Sequence, residues 1–280
     1  MEDSSEFIRH VACPHCGSSD ANAEYSDGKH YCFSCQTLTP ADNEGVIAVT
    51  TQVDSKFLDI DIGQLNKRKI NEKTAKHWQY GISTYKGSKV QVANFYDRQG
   101  KLQAQKLRFP NKDFTVLGDI KNVNLYGEHL ARDSGKMITI VEGELDALSL
   151  SQCFDNKWPV VSLPQGCHSA KKAVSKALDW LCNYDTIVLM FDNDEAGHKA
   201  AIDVANILPP NKAKIAKLPL KDASDMMQAG RTEELIDAVW SAKTYRPDGI
   251  VAGVDLWDTV TTTEDKQSVP YSYVGLQEKT

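Results

Sequence analysis

The sequence lacks any apolar run approaching the roughly 20 residues that cross a bilayer, and its opening stretch Met1-Glu-Asp-Ser-Ser-Glu6 puts acids where an export signal has a basic start. Neither a membrane span nor export is expected, which makes the cytoplasm the expected location, that of the host cell if the chain comes from a phage. It also lacks a surplus of positive charge. The formal net charge is −6, whereas a protein that coats nucleic acid neutralises phosphates with excess Lys and Arg, so any hold on nucleic acid should be local and weak. No GxxxxGK[ST] occurs, which excludes ATP-driven translocation by a P-loop within these residues.

What is present first is length: 280 residues exceed the roughly 100 to 200 of one ordinary domain. Four of the seven cysteines form two CxxC pairs, Cys13 with Cys16 and Cys32 with Cys35, separated by fifteen residues. That spacing matches a four-thiolate zinc site, and paired thiols fit metal in a reducing compartment better than disulfides. Residues 13–35 could not bury enough apolar surface to fold without such a staple. The Asp27-Gly28 turn between them signals a hairpin, so a zinc ribbon is expected. Cys153, Cys167 and Cys182 show no ligand spacing and read as small buried apolar residues.

Residues 38–54 are at first polar and without helical period, as in a linker. A helix is expected from Lys69 to Trp78 with Asn71 as its cap. Lys89–Tyr96 and Lys101–Arg108 alternate around Asp97-Arg-Gln-Gly100, as an antiparallel hairpin does. From Met137 the pattern becomes strand and helix in turn. Strands are expected at 137–141, 160–163, 186–191 and 214–218, and helices at 144–153, 169–181 and 195–207. Continuous apolar strands between amphipathic helices imply a parallel sheet covered on both faces.

Two acidic clusters sit where such strands give way to helices: Glu142-Gly-Glu-Leu-Asp146 and Asp192-Asn-Asp-Glu-Ala-Gly197. Ligands of α/β sheets gather at the carboxyl ends of the strands. Carboxylates converging there repel one another unless a cation lies among them, and Mg²⁺ takes oxygen ligands and shares the rest of its sphere with substrate phosphates. The plainer reading, solvated acids favoured by a helix start, covers one cluster more easily than two. Lys106 and Arg108 are two apart on a strand and so share a face, and Lys112 follows in a loop. Lys171 and Lys172 stand in the first turn of a helix against its dipole, which hints at a phosphate partner. Gly197 should let its helix approach the sheet closely, and His198 should be a surface residue.

The two acidic motifs together resemble the TOPRIM fold of primases and type IA topoisomerases. With the CxxC pairs, the Gln-Val-Ala stretch at Gln91, Gln105-Lys106 and Leu218-Pro-Leu-Lys-Asp222 in the same order, residues 8–250 are similar to the primase half of the bacteriophage T7-type primase-helicase family. The resemblance implies a multidomain chain in which a Cys₄ zinc ribbon is followed by an α/β TOPRIM-type RNA polymerase domain with a parallel sheet. The expected division is ribbon 1–40, flexible linker 41–56, N-terminal subdomain 57–135, TOPRIM subdomain 136–246, and 247–280 leading toward a helicase domain not included here. A short docking helix is expected at 255–260.

The implied activity is that of a DNA primase, which makes short RNA primers from ribonucleoside triphosphates on single-stranded DNA during phage-type replication. A 3′-hydroxyl attacks the α-phosphorus of a second nucleotide and pyrophosphate leaves. Asp192, Asp194 and Asp222 would hold Mg²⁺ or Mn²⁺, and Glu142 would either hold metal or assist deprotonation of the hydroxyl. Lys106, Arg108, Lys112 and Lys171 would contact the triphosphate. One structural Zn²⁺ would sit on Cys13, Cys16, Cys32 and Cys35, while Asp27, Lys29, His30 and Tyr31 would read a template trinucleotide. Here the sequence departs from the family pattern: Lys29 stands where a His is expected, and alternation turns His30 to the other face. A helicase domain in the same chain and a replicative DNA polymerase are implied partners, with no membrane. Two rivals stay open at this point, a TOPRIM nuclease cutting DNA and a noncatalytic zinc-ribbon adaptor.

Overall fold

Strands β1 (Phe7–Val11), β2 (Asn22–Tyr25), β3 (His30–Cys32) and β4 (Leu38–Thr39) form a small antiparallel sheet in chain order. The structure, a computed structural model, describes residues 5–14, 19–33, 38–39, 57–247, 253–257 and 261. The expected hairpin is present: Gly28 adopts φ 78° and the Tyr25 N–H donates to the Lys29 carbonyl at 2.9 Å. The positive φ is the reason a glycine stands there. Leu38 and Thr39, expected to open the linker, instead pair with Tyr31 and His30. Residues 41–56 of that expected linker, and Cys16 and Cys35, lie outside the described residues. The expected docking helix at 255–260 is, over its described part, a 3₁₀ turn at Gly253–Leu256 that passes into α-helix at an exposed Trp257.

Helix α1 (Glu72–Trp78) starts at Asn71, whose side chain accepts from the Thr74 N–H at 2.8 Å. A short polar cap satisfies an amide that the first turn leaves without a partner. Strands β5 (Tyr80–Tyr85), β6 (Ser88–Tyr96), β7 (Leu102–Arg108) and β8 (Phe114–Gly118) then make a four-stranded antiparallel meander. The β6–β7 pair is the expected hairpin. Its flanking strands fell outside the sequence reading.

A five-stranded sheet follows, built from β9 (Gly135–Val141), β10 (Val160–Ser162), β11 (Tyr184–Met190), β12 (Ala213–Ile215) and β13 (Lys243–Thr244) in the order β10-β9-β11-β12-β13. Four strands are parallel as expected. The sheet is nonetheless mixed, because β13 pairs antiparallel with β12 at the edge.

The helices of this part are α2 (Glu144–Cys153), α3 (Ala170–Lys176), α4 (Leu178–Leu181), α5 (Glu195–Ala205), α6 (Ala223–Gln228) and α7 (Thr232–Trp240). The single helix expected over 169–181 is broken into a 3₁₀ turn at Cys167–Ser169, α3 and α4. Cys153, Cys167 and Cys182 are half-buried rather than buried.

Strand alternation sorts the core onto two faces. Val141, Val188 and Met190 join a cluster with α2, α6 and α7, while Ile138, Ile140, Ile187 and Leu189 join one with α3 and α5. The first cluster also contains Trp78, Tyr80, Ala93, Phe95 and Ala104 from α1 and the meander. Val90, Val92 and Leu107 on the meander's other face pack separately. Ala104, Lys106 and Arg108 share one parity on β7, so the burial of Ala104 turns both cations toward the α/β part. Among the described residues no helix is long and apolar enough to cross a membrane.

Candidate active site

Glu142 is the first residue after β9 and Asp192 lies just past the end of β11, its neighbour in the sheet. Parallel pairing brings the two to one edge although fifty residues separate them in sequence, and the Asp192 N–H donates to Glu142 Oε2 at 3.4 Å. Burial, then the Glu142 carboxylate, push the Asp192 carboxyl up to about 6 despite the ammonium of Lys221 at 3.2 Å. Asp194 is exposed and caps α5 by accepting from the Gly197 N–H at 2.9 Å. A Cβ on Gly197 would stand 2.1 Å from the Asp192 carbonyl oxygen. The close approach expected of this glycine is therefore to the acidic loop itself.

The third acid arrives from another connection. The Asn193 N–H donates to the Lys221 carbonyl at 2.7 Å and its side-chain amide to the Leu218 carbonyl at 3.0 Å. These bonds strap the loop after β11 to the one leading to Asp222, which caps α6 by accepting from the Asp225 N–H at 2.6 Å. Asp222 contributes to the raised carboxyl of Asp192, and Lys221 feels Asp192, Asp222 and Asp194 together. A cation is thus already drawn among these acids. As they stand, no three His, Cys, Asp or Glu side chains among the described residues form a metal-holding group.

Several neighbours were not assigned a role from sequence. Asp146 accepts from the Gly143 N–H at 3.1 Å and from the Ser224 N–H at 3.0 Å, tying the start of α2 to that of α6. Burial, then Asp222, hold its carboxyl well above the usual range. The signal for the first bond was legible, since an acid at the third helical position commonly reaches back to the cap amide. Gly166 takes φ 70° where its chain passes Glu142, with a Cβ position 3.6 Å from Glu142 Oε1. The Cys167 thiol beside it is pushed up by burial and by Glu142.

The expected cations divide into two settings. Lys106 ion-pairs with buried Glu144 at 2.8 Å and donates to the Pro164 carbonyl at 3.2 Å. Lys106 and Arg108 both stand over the Phe114 ring, 4.9 and 5.5 Å from its centroid, which shows that they share a face. Arg108 and Lys112 line a groove of about 620 Å³ together with Lys67, Arg68 and Lys89, three cations with no role assigned from sequence. Arg68 reaches Ser224 Oγ at 3.4 Å, so the groove runs up to the helix that Asp222 caps. Lys171 is exposed in the first turn of α3.

In the small sheet Cys13 and Cys32 are buried. Asp27 and Lys29 face each other across the turn, with Lys29 Nζ 2.7 Å from Asp27 Oδ2, and the ammonium lowers the Asp27 carboxyl. Phe7, His10, Phe33 and Tyr31 form a file of rings with centroids 4.9, 6.3 and 5.0 Å apart. Phe7 and Phe33 are each more than half exposed. Phe7 and His10 precede the first CxxC and went unnoticed for that reason. His198 is exposed as expected and meets Asn193 Oδ1 at 3.0 Å.

Comparison with known proteins agrees with this geometry. Residues 62–118 match the family described as bacteriophage T7 DNA helicase/primase, N-terminal a+b fold, and residues 139–228 match a Toprim-like family. The DNA helicase/primase of Enterobacteria phage T3 is 36% identical over 94% of this chain and 49% of its own length. The chain therefore spans about half the length of that curated relative. The crystal structure of the primase fragment of the bacteriophage T7 primase-helicase is 34% identical, with a TM-score of 0.64, covering 84% of this chain and 100% of that one. T7 primase domains bound to an RNA/DNA hybrid and dTTP and interacting with the T7 lagging-strand DNA polymerase are 36% identical, with a TM-score of 0.64 over 67% of this chain and 95% of theirs. With an acidic edge on a Toprim sheet, a basic groove against it and relatives covered to this extent, the chain belongs to the T7-type phage primase-helicase family, of which it carries the primase portion.

Proposed function

We propose that this chain is a DNA primase, joining ribonucleoside triphosphates into short primers on single-stranded DNA. The observation that carries this reading is the meeting of Glu142, Asp192 and Asp222 from three separate connections at one sheet edge, next to a groove lined by five Lys and Arg side chains. The donor set of the edge is all carboxylate, which suits Mg²⁺ or Mn²⁺, and a bound cation would offset the Glu142 charge that helps to raise the Asp192 carboxyl. Glu142, Asp192, Asp194 and Asp222 would hold it, and a metal there would neutralise the triphosphate and the charge that develops in the transition state.

The protein side chains do the rest. Arg108, Lys112 and Lys171 draw in the triphosphate. Lys106 exchanges Glu144 for phosphate oxygens, which keeps its ammonium paired in both states. Glu142 stands where it can take the proton of the attacking hydroxyl. Asp146 holds the starts of α2 and α6 in register and so sets the distance from Glu142 to Asp222.

We assign the small sheet to a zinc ribbon spanning 1–40, with one Zn²⁺ on Cys13, Cys16, Cys32 and Cys35. The burial of Cys13 and Cys32 in a sheet with almost no apolar core supports this. Asp27, Lys29, His30 and Tyr31 read the template there, beside rings that can stack on unpaired bases. The remaining division is linker 41–56, a subdomain at 57–135, a TOPRIM subdomain at 136–246 and a connection at 247–280 toward a helicase domain. The replicative DNA polymerase is a further partner, as the T7 primase domains interact with theirs.

The test is incubation of the protein with single-stranded DNA, Mg²⁺ and labelled ribonucleoside triphosphates over a library of template trinucleotides. Labelled oligoribonucleotides from a subset of triplets are expected. Cleaved DNA without them would make the chain a nuclease, and DNA binding with no pyrophosphate release would make it an adaptor.

A further inference from the structure

At the far end of the five-stranded sheet, the loop before β9, the start of β10 and the end of α1 enclose a cavity of about 370 Å³, a size that suits a small ligand. The seven residues of β9, at about 3.3 Å each, put it on the order of 20 Å from Glu142. Whatever it holds takes no part in chemistry at the acidic edge.

Its ionisable lining is all basic, beside the neutral Ser134, Ser151 and Asn156. His77, Arg132, Lys136 and Lys157 contribute to the wall and no Asp or Glu does. Lys157 is paired with Asp155 at 2.9 Å, whereas the side chains of Arg132 and Lys136 meet no hydrogen-bond or ion-pair partner among the described residues. Trp78, only 2% exposed, lines the same wall. At the rim, Trp158 packs its ring against that of Trp240 with centroids 5.2 Å apart and stays 39% exposed.

Cations without a partner select a ligand rich in anionic acceptors, as phosphate oxygens are. An exposed indole beside them selects a planar partner. An acidic peptide would answer the first demand and leave the second. We propose that this pocket is a second nucleotide site, which takes phosphate on Arg132 and Lys136 and a base on Trp158. The nucleotide is either a free one or one unit of a single strand.

Photo-crosslinking tests this on the full chain without added divalent cation. One arm uses 8-azido-AMP and the other a ten-residue oligothymidylate carrying 5-iodouracil, and the labelled peptides are located by mass spectrometry. Label on the peptide that contains Trp158 is expected. It should fall at least tenfold in R132E/K136E and persist in D192N/D194N, which alters only the opposite edge. Arg132 and Lys136 are exposed, and R132Q/K136Q gives the same reading should charge reversal disturb the fold. Label from 8-azido-AMP alone identifies a free nucleotide, and label from the oligonucleotide alone identifies a strand. No label on this peptide from either probe, equal label in R132E/K136E, or protection of the peptide by polyglutamate but not by AMP or oligothymidylate would overturn the proposal.

Discussion

The small amino-terminal sheet and the α/β part hold their functional side chains in place by opposite means. Among the described residues of the former only Cys13, Asn22, Ala23 and Cys32 are buried, and its strands are two to five residues long. In the latter, β9 and β11 run buried between two apolar clusters. Apolar burial on that scale can hold Glu142, Asp192, Asp146 and Asp222 close together at a cost in charge repulsion. The small sheet has no such reserve among its described residues, and the zinc proposed for it would supply the order.

The sharpest way to break this contrast is to remove one carboxylate from the strained edge. Glu142→Gln keeps shape and volume, so template binding should survive while dinucleotide formation drops by about 10²- to 10⁴-fold. The measurements are labelled dinucleotide yield and equilibrium binding of single-stranded DNA, and a synthesis rate near that of the parent protein would remove Glu142 from the site. Next in size is metal removal. A strong chelator with a reductant should abolish hydrogen-exchange protection of the β2 and β3 amides and leave that of β9 and β11 unchanged. Equal loss in both would show that one cooperative unit spans them.

Gly197→Ala probes the same edge sterically. A methyl 2.1 Å from the Asp192 carbonyl must displace either α5 or the acidic loop, for about 1 to 3 kcal/mol. Thermal unfolding should fall by several degrees, and loss of synthesis should exceed what that destabilisation explains. A midpoint equal to that of the parent protein would mean that the helix does not sit so close.

The smallest effect concerns protons. The Asp192 carboxyl is raised in the folded state to about 6 from an ordinary 3.8, by burial first and Glu142 second. A folded-state value above the unfolded one contributes stability that is fully present below about pH 4 and is lost as pH rises through about 6. In chelator-treated protein, Asp192→Asn should therefore raise the thermal midpoint at pH 7 and leave it nearly unchanged at pH 4. A lower midpoint at pH 7 would show that the Lys221 ion pair outweighs the desolvation.

Much of the chain was legible because its signals are local. Asn71 announces α1, Asp27-Gly28 announces the hairpin, and the apolar runs before Glu142 and Asp192 announce β9 and β11. The strands β5, β8 and β13 were missed because short, partly exposed edge strands carry little pattern of their own. The break between α3 and α4 was missed because periodicity runs through it. Lys106 was read as a cation with phosphate for a partner, and the structure shows it already held by Glu144, 38 positions away. No local spacing encodes such a pair.

What the amino-acid order determined by itself is which side chains stand at strand ends and helix starts, since periods of 2 and 3.6 and capping chemistry act over a few residues. That much was enough to bring Glu142, Asp192 and Asp194 to the edge of one sheet, whereas Asp222 was expected there only from the family resemblance. Only the tertiary structure decided that Asp146 ties two helix starts together, that Lys221 enters the acidic cluster, and that Arg132, Lys136 and Trp158 share a pocket. Those meetings depend on strand order and on how the meander packs over α2, through contacts between residues far apart in the chain whose strength comes from burial.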